Sequence, residues 1–236
     1  MTINIKDFHK SFGKLKVLEG INIDIDNGNV FALLGPNSSG KTTLLKSILG
    51  MVIPDSGSIE IDNKNVINKW RYRDKISYMP QVANFPSNLK LREIINIFKI
   101  FRSQESVEND LIKFFNLESS LEKKISTLSG GTKQKVNIVL AFMFNSPIII
   151  LDEPTTGLDP LSLVKLKKLI NDYKHLNRII LLSSHIMDFV EEIADRIVFL
   201  LEGKMHFDGT VDQIKKNTQK NNLENSIAHI LNINND

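Results

Sequence analysis

The sequence predicts an α/β fold built around a largely parallel β-sheet. Three short apolar runs, over residues 30–34, 148–151 and 179–183, are typical of strands buried on both faces. Each run is followed by a segment with helical periodicity, and this alternation is the pattern of parallel strands joined by helices. A glycine-rich motif separates the first run from its helix, and it reads Gly35-Pro36-Asn37-Ser38-Ser39-Gly40-Lys41-Thr42.

The segments around this motif predict further strands. Residues 1–29 are expected to form short strands, because residues 21–26 alternate apolar and polar side chains, and Asn27-Gly28 supplies a turn. A second turn at 54–57 precedes an alternating strand over 58–62. Another short strand, over 76–79, is ended by Pro80.

From about residue 85 to residue 145 the apolar residues recur at helical spacing, which predicts an inserted group of helices. Ser129 is placed to cap the helix that follows it. Residues at three- and four-residue steps are predicted to be core: Leu91, Ile94, Ile95, Phe98, Phe101, Leu111, Phe114 and Phe115, with Val136, Leu140, Met143 and Phe144 on one face of the last helix.

The C-terminal third predicts a mixture of helices and one hairpin. Helices are expected over 161–173 and 188–194, and a hairpin joins 197–201 to 205–208 across Glu202-Gly203-Lys204. The segment 217–222 is predicted to be a linker, and 223–231 a final helix.

Composition limits the classes of function. The 236 residues carry a net charge of only +3, with basic residues interleaved with acidic ones, which argues against a nucleic-acid partner. The absence of cysteine excludes disulfides and thiolate metal sites. The N-terminus lacks a signal-peptide pattern, and no apolar run is long enough to span a bilayer. We therefore expect no direct membrane insertion.

The glycine-rich motif has the spacing G-x-x-x-x-G-K-[ST] of a phosphate-binding loop. Glycines allow backbone N–H groups to surround a polyanion, and the following helix N-terminus adds partial positive charge. Lys41 is expected to reach the β- and γ-phosphates, and the Thr42 hydroxyl to ligate Mg²⁺. The motif and the next residue, Thr43, thus predict a site for ATP with Mg²⁺.

Two acidic residues end the second apolar run. Asp152 follows a buried strand and is expected to hold Mg²⁺ beside the loop. Glu153 should point elsewhere, because side chains alternate along a strand, and it is placed to act as general base toward water.

In order and spacing, five motifs resemble those of the nucleotide-binding subunit of an ATP-binding cassette (ABC) transporter. Leu128-Ser129-Gly130-Gly131-Thr132 resembles the family signature LSGGQ, with threonine in place of glutamine. Residues 152–160, Asp-Glu-Pro-Thr-Thr-Gly-Leu-Asp-Pro, resemble the extended Walker B motif and D-loop. Gln81 resembles the Q-loop glutamine, and His185 the switch histidine.

The resemblance implies roles for these residues in a head-to-tail dimer around two ATP molecules. Ser129, Gly130 and Gly131 of one copy would complete the phosphate site of the other, and Asp159 would couple the two sites. His185 would hold the γ-phosphate and the attacking water. Gln81 would sense the γ-phosphate and join the Mg²⁺ contacts, and Phe12 would stack on adenine.

The resemblance also implies an architecture and partners. It predicts one domain with a RecA-like P-loop NTPase core (1–84 and 146–215), an N-terminal antiparallel β subdomain within it, an inserted helical signature subdomain (85–145) and a C-terminal tail (216–236). The partners would be a second cassette, identical or different, and an integral membrane permease. The permease would hold the protein at the cytoplasmic face of the cell membrane.

The finer specialisation stays open at this point. The short helical insert and Thr155-Thr156-Gly157-Leu158-Asp159-Pro160 resemble export-type cassettes. Residues 130–136, with 140–142 after them, also resemble cassettes associated with copper-enzyme maturation. Phe85 and Leu89 could contact the permease or belong to the core. A soluble ATPase acting on ribosomes or DNA, and a nucleotide switch that hydrolyses little, are the alternative classes.

Overall fold

Two β-sheets organise the protein, whose computed structural model describes residues 1–102 and 104–233. Residue 103 of the predicted helical subdomain and residues 234–236 of the predicted tail lie outside the described residues. The strands are β1 (Thr2–Phe12), β2 (Leu15–Asp26), β3 (Val30–Leu34), β4 (Ser56–Ile61), β5 (Lys64–Asn65), β6 (Ile76–Met79), β7 (Ile148–Asp152), β8 (Ile179–Ser183), β9 (Arg196–Leu201) and β10 (Lys204–Gly209). The helices are α1 (Lys41–Ile48), α2 (Leu91–Phe101), α3 (Glu108–Phe114), α4 (Gly130–Phe142), α5 (Pro160–His175), α6 (Met187–Ile193), α7 (Val211–Thr218) and α8 (Leu223–Ile233).

The larger sheet has six strands in the order β10-β9-β3-β8-β7-β6, and only β10 runs antiparallel to its neighbour. The smaller sheet is antiparallel, in the order β2-β1-β4-β5. This arrangement confirms the predicted α/β class with a mainly parallel sheet. The expectation of several short strands over 1–29 was wrong, because two long strands pair there. The turn at Asn27-Gly28 then leads from one sheet to the other.

The two faces of the parallel sheet belong to two different hydrophobic cores. Phe31 and Leu33 of β3 pack with α1 and the antiparallel sheet. The alternate residues Val30, Ala32 and Leu34 pack with the helices of the opposite face. Every residue of β3 is buried, as expected for a central strand covered on both sides. The strand that leads into the phosphate-binding motif is therefore held rigidly.

Helices α2 to α4 form the inserted helical segment, and most of the residues predicted to be core there are buried. Ser129 caps α4, since its Oγ accepts a hydrogen bond from the Thr132 N–H at 3.3 Å. Phe98 and Phe101 are not core: they are 39% and 84% exposed, because α2 buries only its first half. Val136, Leu140, Met143 and Phe144 are buried as predicted, but α4 ends at Phe142 and buries every residue from 136 to 142, because it contacts β6 and β7 as well as α2 and α3.

The C-terminal segment differs from its prediction. Helix α7 occupies 211–218, so the expected linker over 217–222 is reduced to the last four of those residues. Thr210 and Gln213 form a capping box at the start of α7, and their spacing of three residues is a helix-start signal in the sequence. The predicted final helix is confirmed as α8, which packs through Leu223 and Ile227. None of the described helices is long and apolar enough to cross a membrane.

Candidate nucleotide-binding and hydrolysis site

The glycine-rich motif connects β3 to α1 as a tight loop. Gly35 has φ of 149°, and a Cβ there would lie 2.2 Å from the Leu200 carbonyl oxygen. Gly40 has φ of 102°, and its Cβ would lie 2.6 Å from Leu18 Cδ2. Both positions require glycine, because a side chain would meet fixed backbone or core atoms. The loop therefore lies closely against β9 of the parallel sheet and β2 of the antiparallel sheet.

Lys41 is the basic group of the loop, and it is only 7% exposed. Its Nζ donates to the carbonyl oxygens of Gly35 at 2.8 Å and Pro36 at 3.0 Å. Burial lowers the pKa of Lys41, while the nearby Glu153 and Asp152 carboxylates oppose this shift. A polyanion in the loop would compensate the buried positive charge.

Asp152 is buried and accepts hydrogen bonds from two hydroxyls. Thr42 Oγ1 lies 3.2 Å and 3.0 Å from the two carboxylate oxygens, and Ser183 Oγ lies 2.6 Å from Oδ1. Burial and the neighbouring Asp152 charge raise the pKa of Tyr78 to about 12. Hydroxyl and carboxylate oxygens facing one another at the edge of the loop are the donor set that Mg²⁺ prefers, so the residues fit this ion.

Glu153 follows Asp152 but lies outside the strand. Its φ of 51° is left-handed, so this backbone conformation, and not strand alternation alone, directs its side chain. The side chain is 6% exposed, and Oε2 lies 2.7 Å from Nδ1 of His185. Backbone strain at a buried acid is a feature of functional sites. The structure thus brings together the predicted general base and the predicted switch histidine.

An open cleft of about 470 Å³ lies over the loop. Phe12 stands at its edge, 52% exposed, with the Lys10 ammonium 5.2 Å from the ring centroid. Gln81 is exposed at the edge of the cleft. The cleft is lined by Phe12, Leu15, Val17, Asn37, Ser38, Gly40, Lys41, Thr42, Thr43, Gln81 and Glu153. Aromatic, loop and acidic residues from four separate segments therefore face one space.

The signature residues are not among those that line this cleft. Ser129 and Gly130 are exposed at the N-terminus of α4. A Cβ on Gly131 would lie 2.9 Å from the carbonyl oxygen of Gly157, so the helix start lies close to the loop after Glu153. Threonine at the fifth signature position adds a hydroxyl group, and this group forms a hydrogen bond of 2.8 Å with the Ser129 hydroxyl. Within one copy, the signature is apart from the phosphate loop.

Asp159 caps helix α5 and is bound from two sides. It accepts hydrogen bonds from the Ser162 N–H at 2.8 Å and the Ser162 hydroxyl at 2.9 Å. The Lys135 ammonium of α4 also contacts Asp159, at 2.8 Å. The pKa of Asp159 is held well below its ordinary value, mainly by this ion pair and to a smaller extent by the bonds from Ser162. Gln134 also donates to the Pro154 carbonyl oxygen at 3.2 Å. The signature helix is thus tied to the loop that follows Glu153.

Ser183 is a site residue that the sequence analysis did not single out. Its hydroxyl donates to Asp152 and accepts from the Glu153 N–H at 3.0 Å, so it links both acids. The sequence signal was a hydroxyl residue at the end of the third apolar run. Because β8 lies beside β7 in parallel register, Ser183 is paired with Asp152.

Comparisons with known proteins agree with this geometry. The family model described as ABC transporter matches residues 18–156. A bacitracin transport ATP-binding protein of Bacillus licheniformis is 32% identical over 92% of this chain and 72% of its own length. A lantibiotic transport ATP-binding protein of Streptococcus pyogenes is 33% identical over 86% of this chain and 88% of its own.

Solved structures give the same result. The structure of an ATP-binding subunit of an ABC transporter superimposes with a TM-score of 0.91 at 30% identity, covering 98% of this chain and 100% of that one. A cassette in a dimeric post-hydrolysis state, bound to ADP and Pi, gives a TM-score of 0.79 at 27% identity, covering 88% and 98% of the two chains. The chain therefore belongs to the ABC transporter family, as a nucleotide-binding cassette.

Proposed function

We propose that this protein is the ATP-hydrolysing subunit of an ABC exporter, whose two cassettes close head to tail around two ATP molecules. The observation that carries the proposal is the convergence of Lys41, Thr42, Asp152 and Glu153 beside one cleft. The site combines the buried ammonium of Lys41, the Asp152 carboxylate facing the Thr42 hydroxyl, and the Glu153 carboxylate beside a histidine. Few functions other than nucleotide hydrolysis require all of these groups at one loop.

The loop binds the phosphates of ATP. Its N–H groups and the N-terminus of α1 attract the negative charge, and Lys41 exchanges its two carbonyl partners for phosphate oxygens. The exposed Phe12 ring stacks on adenine, with Leu15 and Val17 beside it in the cleft. Thr42, Asp152 and Gln81 would hold Mg²⁺, which supplies charge neutralisation of the phosphates when bound.

Glu153 polarises the attacking water, and His185 holds the water and the γ-phosphate. In the structure the two side chains are bonded to each other at 2.7 Å. The carboxylate and the imidazole must therefore exchange this bond for contacts with water and phosphate. Gln81 senses the γ-phosphate from the edge of the cleft.

Dimerisation completes the site. Ser129, Gly130 and Gly131 lie outside the cleft of their own copy, so another copy must supply them over the γ-phosphate. The N-terminus of α4, capped by Ser129, offers N–H donors for this purpose. Asp159 lies between α4 and α5 and couples the two sites. A related cassette is described as dimeric in a post-hydrolysis state with ADP and Pi, which supports this arrangement.

A membrane permease uses the cycle and carries the substrate. An apolar groove of about 300 Å³ runs between the segment after Gln81 and helix α2, and Phe85, Ile97 and Phe98 line it. Because it presents partly exposed apolar side chains, it is the docking site we assign to the permease, which would hold the cassette at the cytoplasmic face of the membrane. Phe85 lines the groove and also packs against the core, whereas Leu89 packs against the core and is not among the groove residues.

Export is the direction we propose, because relatives are named for bacitracin transport, lantibiotic transport and Nod factor export. These relatives give no support to the copper-enzyme specialisation.

Substitution of the general base tests the proposed hydrolysis. Glu153→Gln should lower ATP turnover by at least about 100-fold, because the amide cannot accept a proton, while ATP binding and dimer formation persist. Glu224→Gln, an exposed substitution on α8, is the matched control and should behave as the unchanged protein. Phosphate release and size-exclusion chromatography with ATP measure both effects. Turnover at the unchanged rate by the Glu153 variant would refute the assignment.

A further inference from the structure

The segment 64–75 combines an excess of basic residues with the single tryptophan of the chain. It contains five basic residues and one acidic residue, a net charge of +4 against +3 for the whole chain. The basic residues are Lys64, Lys69, Arg71, Arg73 and Lys75, and the acidic one is Asp74. Because the whole chain carries +3, the remaining residues together carry a net charge of −1.

The segment surrounds an exposed tryptophan. Trp70 is 63% exposed, and the Arg71 guanidinium lies 5.6 Å from the centroid of its ring. Met51 and Ile53, on the loop after α1, are 61% and 56% exposed. Trp70 and Ile53 line the same surface pocket of about 240 Å³. The indole and Ile53 thus share one pocket with the basic residues Lys69 and Arg73, and Met51 is exposed two residues before Ile53.

This surface is held in a fixed shape. The Tyr72 hydroxyl donates to the Ile48 carbonyl oxygen at 3.0 Å, and Arg73 donates to the Gly50 carbonyl oxygen at 2.9 Å. Among the ion pairs of the described residues, Lys75 is paired with Asp62 at 3.2 Å, whereas Lys64, Lys69 and Arg71 have no carboxylate partner. Their charge is thus available to an external anion.

The surface adjoins the apolar groove that we assign to the permease. Arg102, directly after α2, donates to the Arg73 carbonyl oxygen at 3.5 Å, and Gln104 donates to that of Asp74 at the same distance. Phe98, four residues before Arg102, lines the groove. A cassette docked through that groove would therefore hold segment 64–75 close to the bilayer that contains the permease.

We propose that Lys64, Lys69, Trp70, Arg71 and Arg73, here called the basic–aromatic patch, bind the headgroups of anionic lipids. Tryptophan is enriched at the membrane–water interface, and clustered lysine and arginine are attracted to an anionic leaflet. A nucleic acid would use the cations and the ring, but it would leave Met51 and Ile53 exposed, so the lipid surface fits the whole patch better. This proposal rests on the proposed permease docking in one respect, namely that docking would turn the patch toward the bilayer.

Trp70 makes the test direct, because it is the only tryptophan in the chain. The nucleotide-free cassette, without a permease, is mixed with vesicles of phosphatidylglycerol and phosphatidylcholine in equal parts, or of phosphatidylcholine alone. With the anionic vesicles we expect a blue shift of Trp70 emission and co-flotation of the protein, both weakened by added salt. Emission that stays unchanged with anionic vesicles would overturn the proposal.

Charge reversal identifies the patch. Lys69→Glu with Arg71→Glu should lower the partition coefficient to anionic vesicles by roughly 30-fold or more, since each basic residue contributes to this attraction. Lys216→Glu with Lys220→Glu, exposed residues of the C-terminal segment, changes the net charge equally and should retain most of the binding. Both double variants should hydrolyse ATP as the unchanged protein does.

Other outcomes also decide the proposal. Equal loss of binding in both double variants would show that net charge alone attracts the vesicles, which contradicts a specific patch. A shift of Trp70 emission with RNA but not with anionic vesicles would show that the patch binds RNA and not lipid. A shift with a detergent-solubilised permease free of anionic lipid, but not with vesicles, would show that the patch binds the permease and not lipid. Vesicle binding does not depend on hydrolysis, so its failure is separate from failure of the Glu153 test.

Discussion

The hydroxyl of Ser183 can be removed to measure what the link between the two acids contributes. Ser183 is fully buried, and its Oγ lies 2.6 Å from Asp152 Oδ1. Ser183→Ala removes one hydrogen bond to a charged group, which costs about 2 kcal/mol. The Glu153 N–H keeps a bond to the Ser183 carbonyl oxygen at 3.2 Å, so no unpaired donor adds to this loss.

The neighbouring serine supplies the matched control. Ser184 is equally buried, but among the described residues its Oγ accepts a hydrogen bond from the neutral Ile186 N–H alone, at 3.1 Å. Ser184→Ala should therefore lower the free energy of unfolding by about 1 kcal/mol, roughly half the effect at Ser183. Urea unfolding of both variants and of the unchanged protein gives the comparison.

A second measurement separates a role in the site from a role in stability. Because Ser183 orients the Asp152 carboxylate, Ser183→Ala should raise the Mg²⁺ concentration for half-maximal ATP hydrolysis by roughly tenfold, whereas Ser184→Ala should not. The reasoning is refuted if the two variants are equally stable and require the same Mg²⁺ concentration.

Two further predictions concern pH and the groove. Burial raises the pKa of Tyr78 and of Tyr173 to about 12, against about 10 in the unfolded chain. The folded state therefore keeps two protons that the unfolded state loses, so the free energy of unfolding should fall as the pH rises from about 10 to about 12. Tyr78→Phe should reduce that slope, and an unchanged slope in urea titrations would contradict the assignment. Phe98→Asp, in the groove, should abolish co-purification with the membrane permease. Leu176→Asp changes another exposed apolar residue and should leave co-purification intact. Equal recovery of the permease by both variants would contradict the assignment of the groove as the docking site.

The sequence was sufficient for the parts of the protein that local patterns determine. Buried parallel strands have continuous apolar runs, so β3, β7 and β8 were predicted within a residue. The positions of Lys41 and Thr42 followed from motif spacing, because a loop between a strand and a helix has few possible shapes.

Other features depend on contacts between distant segments. The exposure of Phe98 and Phe101 could not be predicted, because helical periodicity gives a face but not the length over which the helix is covered. The left-handed backbone at Glu153 depends on β8, which binds its N–H through Ser183. The pairing of Lys135 with Asp159 likewise requires knowing that α4 and α5 begin side by side.

The position of β3 has a consequence for how the protein is made. Its two neighbours in the sheet are β8 and β9, and the closest atom to the missing side chain of Gly35 is the Leu200 carbonyl oxygen. A nascent chain that ends before Ile179 contains the whole phosphate-binding motif, but neither strand that flanks it. The phosphate-binding loop is synthesised early but is thus among the last parts of the fold to be assembled. Its strand, β3, can pair with β8 and β9 only after loops of more than a hundred residues have closed.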